Sequence, residues 1–180
     1  ITPVDSKTSI GRQIISLNSD EIQTITTEWK GIQTWDCENP NLYTLKLELI
    51  NPQKQIVHIH EERIGFRTIE FRPKDGIYVN GTKIIVKGTN RHSFHPDGGR
   101  TTNRELSLQD ALLIKEMNMN AVRSHYPPDK HFLEICDSLG IFYLNELAGW
   151  QNSYDTETGL KLLSEMINRD VNHPCIFMWS

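Results

Sequence analysis

Apolar and polar residues alternate along the first third of the chain, a pattern typical of β-strands that bury one face. Residues 42–50 place Leu45, Leu47 and Leu49 on one face, and residues 55–71 continue with the same period. Two earlier segments are predicted as strands in the same way, residues 12–17 and 22–29. Because short turn-rich stretches separate the segments, the pattern predicts a β-sandwich of antiparallel strands, with fewer strands than the roughly seven of a complete sandwich domain.

Beyond residue 68, short apolar segments alternate with helical patterns. Residues 76–88 predict a β-hairpin with Asn80-Gly81 at its tip, a dipeptide that favours a type I′ turn. Helices are predicted at residues 107–118, 129–140 and 158–171, with Ser107 capping the first and Gly140 ending the second. Apolar strands are predicted at residues 83–88, 120–124, 141–146 and 175–180. This alternation predicts a parallel sheet, as either a doubly wound sheet or part of a (β/α)₈ barrel.

Polar side chains follow three of these strands at the point where each strand ends. They are Asn90, Arg91 and His92 after the first strand, Arg123 and His125 after the second, and Asn145 and Glu146 after the third. Because the carboxyl ends of parallel strands meet at one edge, these side chains are expected to form one polar site. Tyr126 and Trp150 would add flat apolar walls, although Trp150 equally fits ordinary loop packing. Such a site suits a polyhydroxylated ligand such as a sugar.

Simpler roles for these residues stay open at this stage. Arg123 is compatible with a structural ion pair to Glu146 or Asp97, and the two histidines His92 and His95 with loop residues bonded to backbone. A metal site at His92 and His95 is disfavoured because no third ligand stands at a telling spacing. No glycine-rich phosphate loop follows a strand, so no nucleotide and no other cofactor is predicted.

Charge and composition change this picture little. The formal net charge is −4, which argues against a nucleic-acid surface. No window is apolar and long enough to cross a bilayer, and no leader pattern is visible, so no membrane partner is expected and no compartment follows. The three widely spaced cysteines, Cys37, Cys136 and Cys175, are predicted to be free, buried thiols.

Four segments of the second part together resemble glycoside hydrolase family 2, the family of β-galactosidase, β-glucuronidase and β-mannosidase. They are residues 87–100 (KGTNRHSFHPDGGR), 118–128 (NMNAVRSHYPP), 136–146 (CDSLGIFYLNE) and 167–180 (INRDVNHPCIFMWS). Residues 35–49 and 64–71 are similar to the end of the immunoglobulin-like domain of that family. The NRHSFHP stretch is most similar to the β-galactosidase branch.

The resemblance implies a multi-domain chain, β then α/β. Residues 1–68 would be the C-terminal part of an immunoglobulin-like β-sandwich. Residues 69–180 would be the N-terminal half of the catalytic TIM barrel, with the first four strands of the (β/α)₈ fold. The implied function is that of a retaining β-glycosidase, homo-oligomeric when intact, acting on a β-linked oligosaccharide or glycoside. Because the acid/base glutamate is expected just after Ser180 and the nucleophile on a later strand, the chain alone is expected to be inactive.

The resemblance also assigns roles within the polar site. His92 and His125 would contact the sugar, while a second set would shape the site, namely Asn90, Arg91, Arg123 and Glu146. Family members usually have two small residues before the second histidine, whereas Ser124 stands alone here, a change that can turn the next side chain to the other face.

Other functions stay open beside this one. The residues after Glu146 lack the further glutamate and histidine of magnesium-dependent β-galactosidases, so no metal is expected. The alternatives are a non-catalytic carbohydrate-binding module and a metal-dependent TIM-barrel hydrolase that uses His92 and His95.

Overall fold

The first part of the chain folds around a three-stranded antiparallel sheet. A computed structural model describes residues 1–17, 22–149 and 152–180. Its first sheet has the order β1-β2-β3, with β1 at Thr2–Pro3, β2 at Tyr43–Ile50 and β3 at Ile56–Ile64. Alternation therefore identified the two long strands, but Leu47 and Leu49 on the predicted buried face are about half exposed.

Two predicted strands are absent, because residues 12–17 and 22–29 adopt no regular structure. Alternation reports only that one side of a segment is apolar. A strand also needs a neighbouring backbone that accepts and donates its ladder of hydrogen bonds. Within the described residues neither segment belongs to a sheet, and Ile14 and Ile22 are exposed.

A hairpin sheet connects the two parts of the chain. The strands of this sheet, in the order β4-β5-β6, are β4 at Ile69–Arg72, β5 at Gly76–Val79 and β6 at Thr82–Ile84. Asn80 and Gly81 both have positive φ, 50° and 79°, so the predicted type I′ turn is confirmed. The long prediction over residues 55–71 was wrong at its end, because β3 stops at Ile64 and the next strand belongs to this second sheet.

Four parallel strands form the third sheet, in the order β10-β9-β8-β7. They are β7 at Gly88–Asn90, β8 at Ala121–Arg123, β9 at Phe142–Asn145 and β10 at Ile176–Trp179. The first was predicted too early, at residues 83–88, because the apolar run there contains no sign of the break between β6 and β7. Gly88 marks the start of β7, since a Cβ there would stand 3.0 Å from the Ala121 carbonyl oxygen of β8.

Three helices cover the parallel sheet: α1 at Arg104–Glu116, α2 at Lys130–Leu139 and α3 at Thr156–Asp170. The N-cap of α1 is Asn103, whose side chain accepts from the Leu106 amide at 2.9 Å, so the prediction of Ser107 as N-cap was wrong. Ser107 is instead buried inside the helix. The predicted end of α2 is confirmed, because Gly140 is left-handed with φ 67°. Of the described helices, none has the length and apolar character that a membrane span requires.

The N-terminal part is anchored to the parallel sheet through Trp35. This side chain is fully buried, packs edge-on against Phe142 of β9 at 5.5 Å, and donates from Nε1 to the Asp137 carbonyl oxygen at 2.7 Å. Arg67 adds hydrogen bonds to the carbonyl oxygens of Pro174 and Ile176 beside β10. All three cysteines lie in this buried region or close to it and are free, as predicted.

Candidate functional site

The predicted site lies where the sheet topology places it, at the carboxyl edge of the parallel strands. Asn90 at the end of β7 is in register with Arg123 at the end of β8, and Arg123 is in register with Leu144 of β9. The polar segments that follow these strands therefore leave the sheet at the same edge, which is the edge where ligands bind in parallel α/β sheets.

His92 and His125 come together at this edge. Their ring centroids are 5.1 Å apart with a tilt of 39° between the ring planes. Tyr126 completes the cluster, because its ring lies 5.8 Å from that of His92 and its hydroxyl is 3.2 Å from His92 Nδ1. The backbone amide of Ser93 donates to the same hydroxyl at 3.1 Å.

The single residue between Arg123 and His125 does not turn His125 away. Ser124 is buried, and its hydroxyl donates to the Tyr126 carbonyl oxygen at 2.6 Å while also meeting the Tyr143 hydroxyl. These bonds hold the chain in a tight turn directly after β8. Burial raises the pKa of the Tyr143 phenol far above its ordinary value, so this hydroxyl stays protonated and available for hydrogen bonding.

Arg123 and Glu146 form the ion pair that the sequence left open. Arg123 Nε lies 2.7 Å from Glu146 Oε2, and the Glu146 side chain is only 8% exposed. Asp97 is not the partner, because it is almost fully exposed and its amide donates to His95 Nδ1 at 3.2 Å. The pair ties the end of β8 to the residue after β9, which fixes the shape of this edge without leaving a net charge.

Arg91 points away from the histidine cluster into the helix layer. Its guanidinium donates to Asp110 of α1 at 2.8 Å, to the Ser93 hydroxyl at 3.1 Å, and lies 4.0 Å from the ring centroid of Phe132 in α2. With 8% exposure it supports the loop that carries His92 from behind. These contacts connect the His92 loop to α1 and α2.

Asn90 is exposed and lines an open groove of about 380 Å³ on the parallel sheet. Other residues that line the groove include Arg123, Leu144 of β9 and Phe177 of β10. Asn90 and Arg123 thus lie at an open groove whose other walls are mainly residues of the parallel strands. Trp150, the remaining predicted site residue, lies outside the described residues.

A buried polar network supports the site from the α3 side. Asn145 at the end of β9 donates to Asp170 at 2.8 Å, and Arg169 binds both oxygens of the same carboxylate. Arg169 also donates to the Pro128 carbonyl oxygen at 3.0 Å, so α3 holds the segment that follows Tyr126. Hydrogen bonding to Asp170 raises the pKa of Arg169 above its ordinary value.

Arg100 belongs to the cluster but was not singled out from the sequence. Its guanidinium carbon lies 5.3 Å from the ring centroid of Tyr126. Arg100 is the last residue of the polar segment that begins at Asn90, and its place in that segment was the signal available in the sequence. Among the residues that the structure describes, no group of three or more His, Cys, Asp or Glu side chains is arranged to hold a metal ion.

Comparison with known proteins gives one consistent family. A model described as "Glycosyl hydrolases family 2, TIM barrel domain" matches residues 70–180, and one described as "Glycosyl hydrolases family 2" matches residues 2–67. A β-galactosidase of Thermoanaerobacterium thermosulfurigenes is 42% identical over 83% of this chain and 21% of its own length. A putative β-glucuronidase of Formosa agariphila is 36% identical over 84% of this chain and 19% of its own length. The chain thus spans about a fifth of the length of these relatives.

Solved structures agree with the sequence comparison. A Parabacteroides merdae β-glucuronidase superimposes with a TM-score of 0.74 at 31% identity, over 82% of this chain and 19% of its own. A family 2 glycosyl hydrolase of Bacteroides cellulosilyticus gives 0.75 at 27% identity, over 82% of this chain and 20% of its own. An immunoglobulin-like region is therefore followed by a TIM-barrel region, and the resemblance read from the sequence is confirmed: the chain belongs to glycoside hydrolase family 2.

Proposed function

We propose that this chain is part of a retaining β-glycosidase that removes terminal β-linked sugars, with a β-galactoside as the substrate. In this proposal residues 1–68 are the end of the immunoglobulin-like domain. Residues 69–180 carry the first four strands of a (β/α)₈ barrel, β7 to β10. The relative at 42% identity is named a β-galactosidase, which supports this sugar over the glucuronide suggested by other relatives.

The observation that carries the proposal is the pairing of His92 and His125 at the carboxyl edge of the sheet, with ring centroids 5.1 Å apart. Two imidazoles side by side offer directed donors and acceptors to neighbouring hydroxyls of a sugar ring. Asn90 and the Arg123–Glu146 pair border the same edge and shape it, and Arg91 supports the His92 loop from the helix layer.

The chemistry needs two further carboxyl groups. A retaining glycosidase protonates the glycosidic oxygen with one carboxylic acid while a second carboxylate, about 5 Å away, forms a glycosyl-enzyme that water then hydrolyses. Family resemblance places neither carboxyl group among residues 1–180. We therefore assign both to the remaining strands of the intact barrel, and the 180-residue chain is expected to bind sugar weakly and to hydrolyse nothing.

The assay measures how fast the intact enzyme that contains this segment cleaves nitrophenyl β-galactoside and nitrophenyl β-glucuronide. We expect faster cleavage of the galactoside, and a loss of about tenfold to a hundredfold in kcat/KM for His92→Ala or His125→Ala, since each loses a hydrogen bond to the substrate. His60→Ala is the matched control, because His60 is an exposed histidine of β3 bonded to Glu62.

Two results would count against the proposal. If kcat/KM were unchanged in both His92→Ala and His125→Ala, the two histidines would not be part of the sugar site. Hydrolysis by the 180-residue chain itself, abolished by His92→Ala, would show that the catalytic carboxyl groups had been assigned to the wrong part of the protein.

A further inference from the structure

The Tyr126 hydroxyl joins two groups of the loop that follows β7. The Ser93 amide donates to it at 3.1 Å, and His92 Nδ1 lies 3.2 Å away. A backbone amide can only donate, so the bond from Ser93 occupies a lone pair of the phenolic oxygen and leaves the phenolic proton free to be given. Within the described part of the chain, His92 Nδ1 is the acceptor in reach of that proton.

We infer that Tyr126 is a positioning residue that donates to Nδ1 of His92 and thereby holds the neutral imidazole with its proton on Nε2. The inference rests on the proposed function, because it makes Nε2–H the donor that His92 presents to a sugar hydroxyl. His92 is exposed and Tyr126 engages its Nδ1, so Nε2 is the ring nitrogen that this assignment gives to the ligand.

Two neighbours support this assignment. The His125 ring lies 5.1 Å from the His92 ring, on a residue directly before Tyr126, so the same short segment carries both neighbours of His92. Arg100 lies over the Tyr126 ring, and a cation on a phenol ring withdraws electron density and makes the hydroxyl a better donor. Tyr126 thus has a role beyond the flat wall predicted from the sequence.

The experiment is a double-mutant cycle on kcat/KM in the intact enzyme. Tyr126→Phe keeps the ring and removes the hydroxyl, and we expect it to lower kcat/KM about five- to tenfold, the effect of one hydrogen bond. In a His92→Gln background the same change should have less than about a twofold effect, because the glutamine has no tautomer to fix. A purely structural role through the Ser93 amide predicts the same loss in both backgrounds.

Tyr78→Phe serves as the matched control. It also removes a tyrosine hydroxyl bond, the one from Tyr78 of β5 to Asp75 in the turn between β4 and β5 at 2.8 Å, and should leave kcat/KM unchanged. A second comparison does not depend on the folding of Tyr126→Phe. The glutamine amide reaches the position of Nε2, whereas an asparagine amide reaches that of Nδ1, so His92→Gln should retain about tenfold more activity than His92→Asn.

The outcomes separate this inference from the function on which it rests. If the intact enzyme cleaves no β-glycoside, the proposed function fails and the inference falls with it. If the enzyme is active and Tyr126→Phe costs the same in both backgrounds, or His92→Asn is more active than His92→Gln, the assignment of Tyr126 is overturned and the glycosidase proposal stands.

Discussion

At the residue scale, the buried Asp137 of α2 forms hydrogen bonds with three residues from other parts of the chain. Its carboxylate binds His173 Nδ1 at 2.6 Å and accepts from the Cys175 amide at 3.1 Å, while its carbonyl oxygen accepts from Trp35. A buried carboxylate is stable only when such partners replace water. Beside it, burial and the Asp137 charge raise the pKa of the Cys175 thiol well above its ordinary value.

The first prediction concerns the reactivity of the buried thiols Cys136 and Cys175. Burial raises the pKa of both, and the thiolate is the reactive form, so neither should be alkylated by iodoacetamide in the native chain as the pH rises from about 7 to about 9. Above that range the unfolded state releases these protons more readily than the native state, so stability should fall.

Labelling followed by mass spectrometry checks this, with the urea-unfolded chain as the control in which all the cysteines react. Rapid modification of Cys175 in the folded chain at neutral pH would contradict the buried environment.

At the scale of the element, helix ends depend on single side chains. Asn103 caps α1 through its bond to the Leu106 amide, whereas Ser107 lies four residues further along with a buried hydroxyl that has no partner among the described residues. Asn and Ser are both favoured at N-caps, and only Ser107 was predicted from the sequence. The helix starts at Arg104, directly after Asn103, whose side chain accepts from the Leu106 amide in the first turn.

The second prediction uses this pair. Asn103→Ala should lower the free energy of unfolding by about 1 kcal/mol, because one orphan amide of α1 loses its acceptor. Ser107→Ala should be neutral or stabilising, since it removes an unsatisfied buried hydroxyl from a helix interior. Urea denaturation followed by circular dichroism measures both. If Ser107→Ala lowered the free energy of unfolding more than Asn103→Ala, the N-cap of α1 would be Ser107.

The third prediction concerns Gly140, where α2 ends. Its φ of 67° favours glycine, and a Cβ would also collide with the Cys37 backbone. Gly140→Ala should therefore destabilise the chain by more than the cost of the left-handed conformation alone, which is about 1–2 kcal/mol. Gly81→Ala is the matched control, because Gly81 has φ 79° but open space around it. Equal effects of the two changes in urea denaturation would show that the close approach to Cys37 has no energetic consequence.

At the scale of the whole molecule, the two parts are joined by the buried side chain of Trp35 and by hydrogen bonds from Arg63 and Arg67. Trp35 fills the space beside Phe142, and Arg67 reaches the backbone next to β10. Since the candidate site lies at the carboxyl edge of the same sheet, this interface keeps β9 and β10 in place beneath it.

The fourth prediction tests that interface. Trp35→Phe keeps an aromatic ring but leaves the Asp137 carbonyl oxygen without its donor, so it should cost about 1–3 kcal/mol in the free energy of unfolding. Trp29→Phe, at a half-buried tryptophan packed on Gly11, should cost less than about 1 kcal/mol. Equal costs in urea denaturation would mean that Trp35 does not anchor the two parts.

Sequence patterns predicted only some parts of the site. Asn90, His92, Arg123, His125 and Glu146 could be placed at one edge because parallel strands end together. The sequence could not predict that Arg91 turns into the helix layer while His92 faces the edge, because neighbouring loop residues follow no fixed period. The ion pair of Arg123 with Glu146 was one of two candidates that only the register of β8 and β9 could separate.

The sequence by itself determined the alternation of helices and strands from α1 to β10, the type I′ turn at Asn80-Gly81, the end of α2 at Gly140 and the family. These depend on local backbone preferences and on motifs that lie within short segments. The tertiary structure alone decided which alternating segments became strands, where β7 begins, and how Ser124 keeps His125 beside His92. Each of these depends on contacts between residues far apart in the chain or on side-chain direction at a turn, and neither hydrophobic periodicity nor local propensity contains that information.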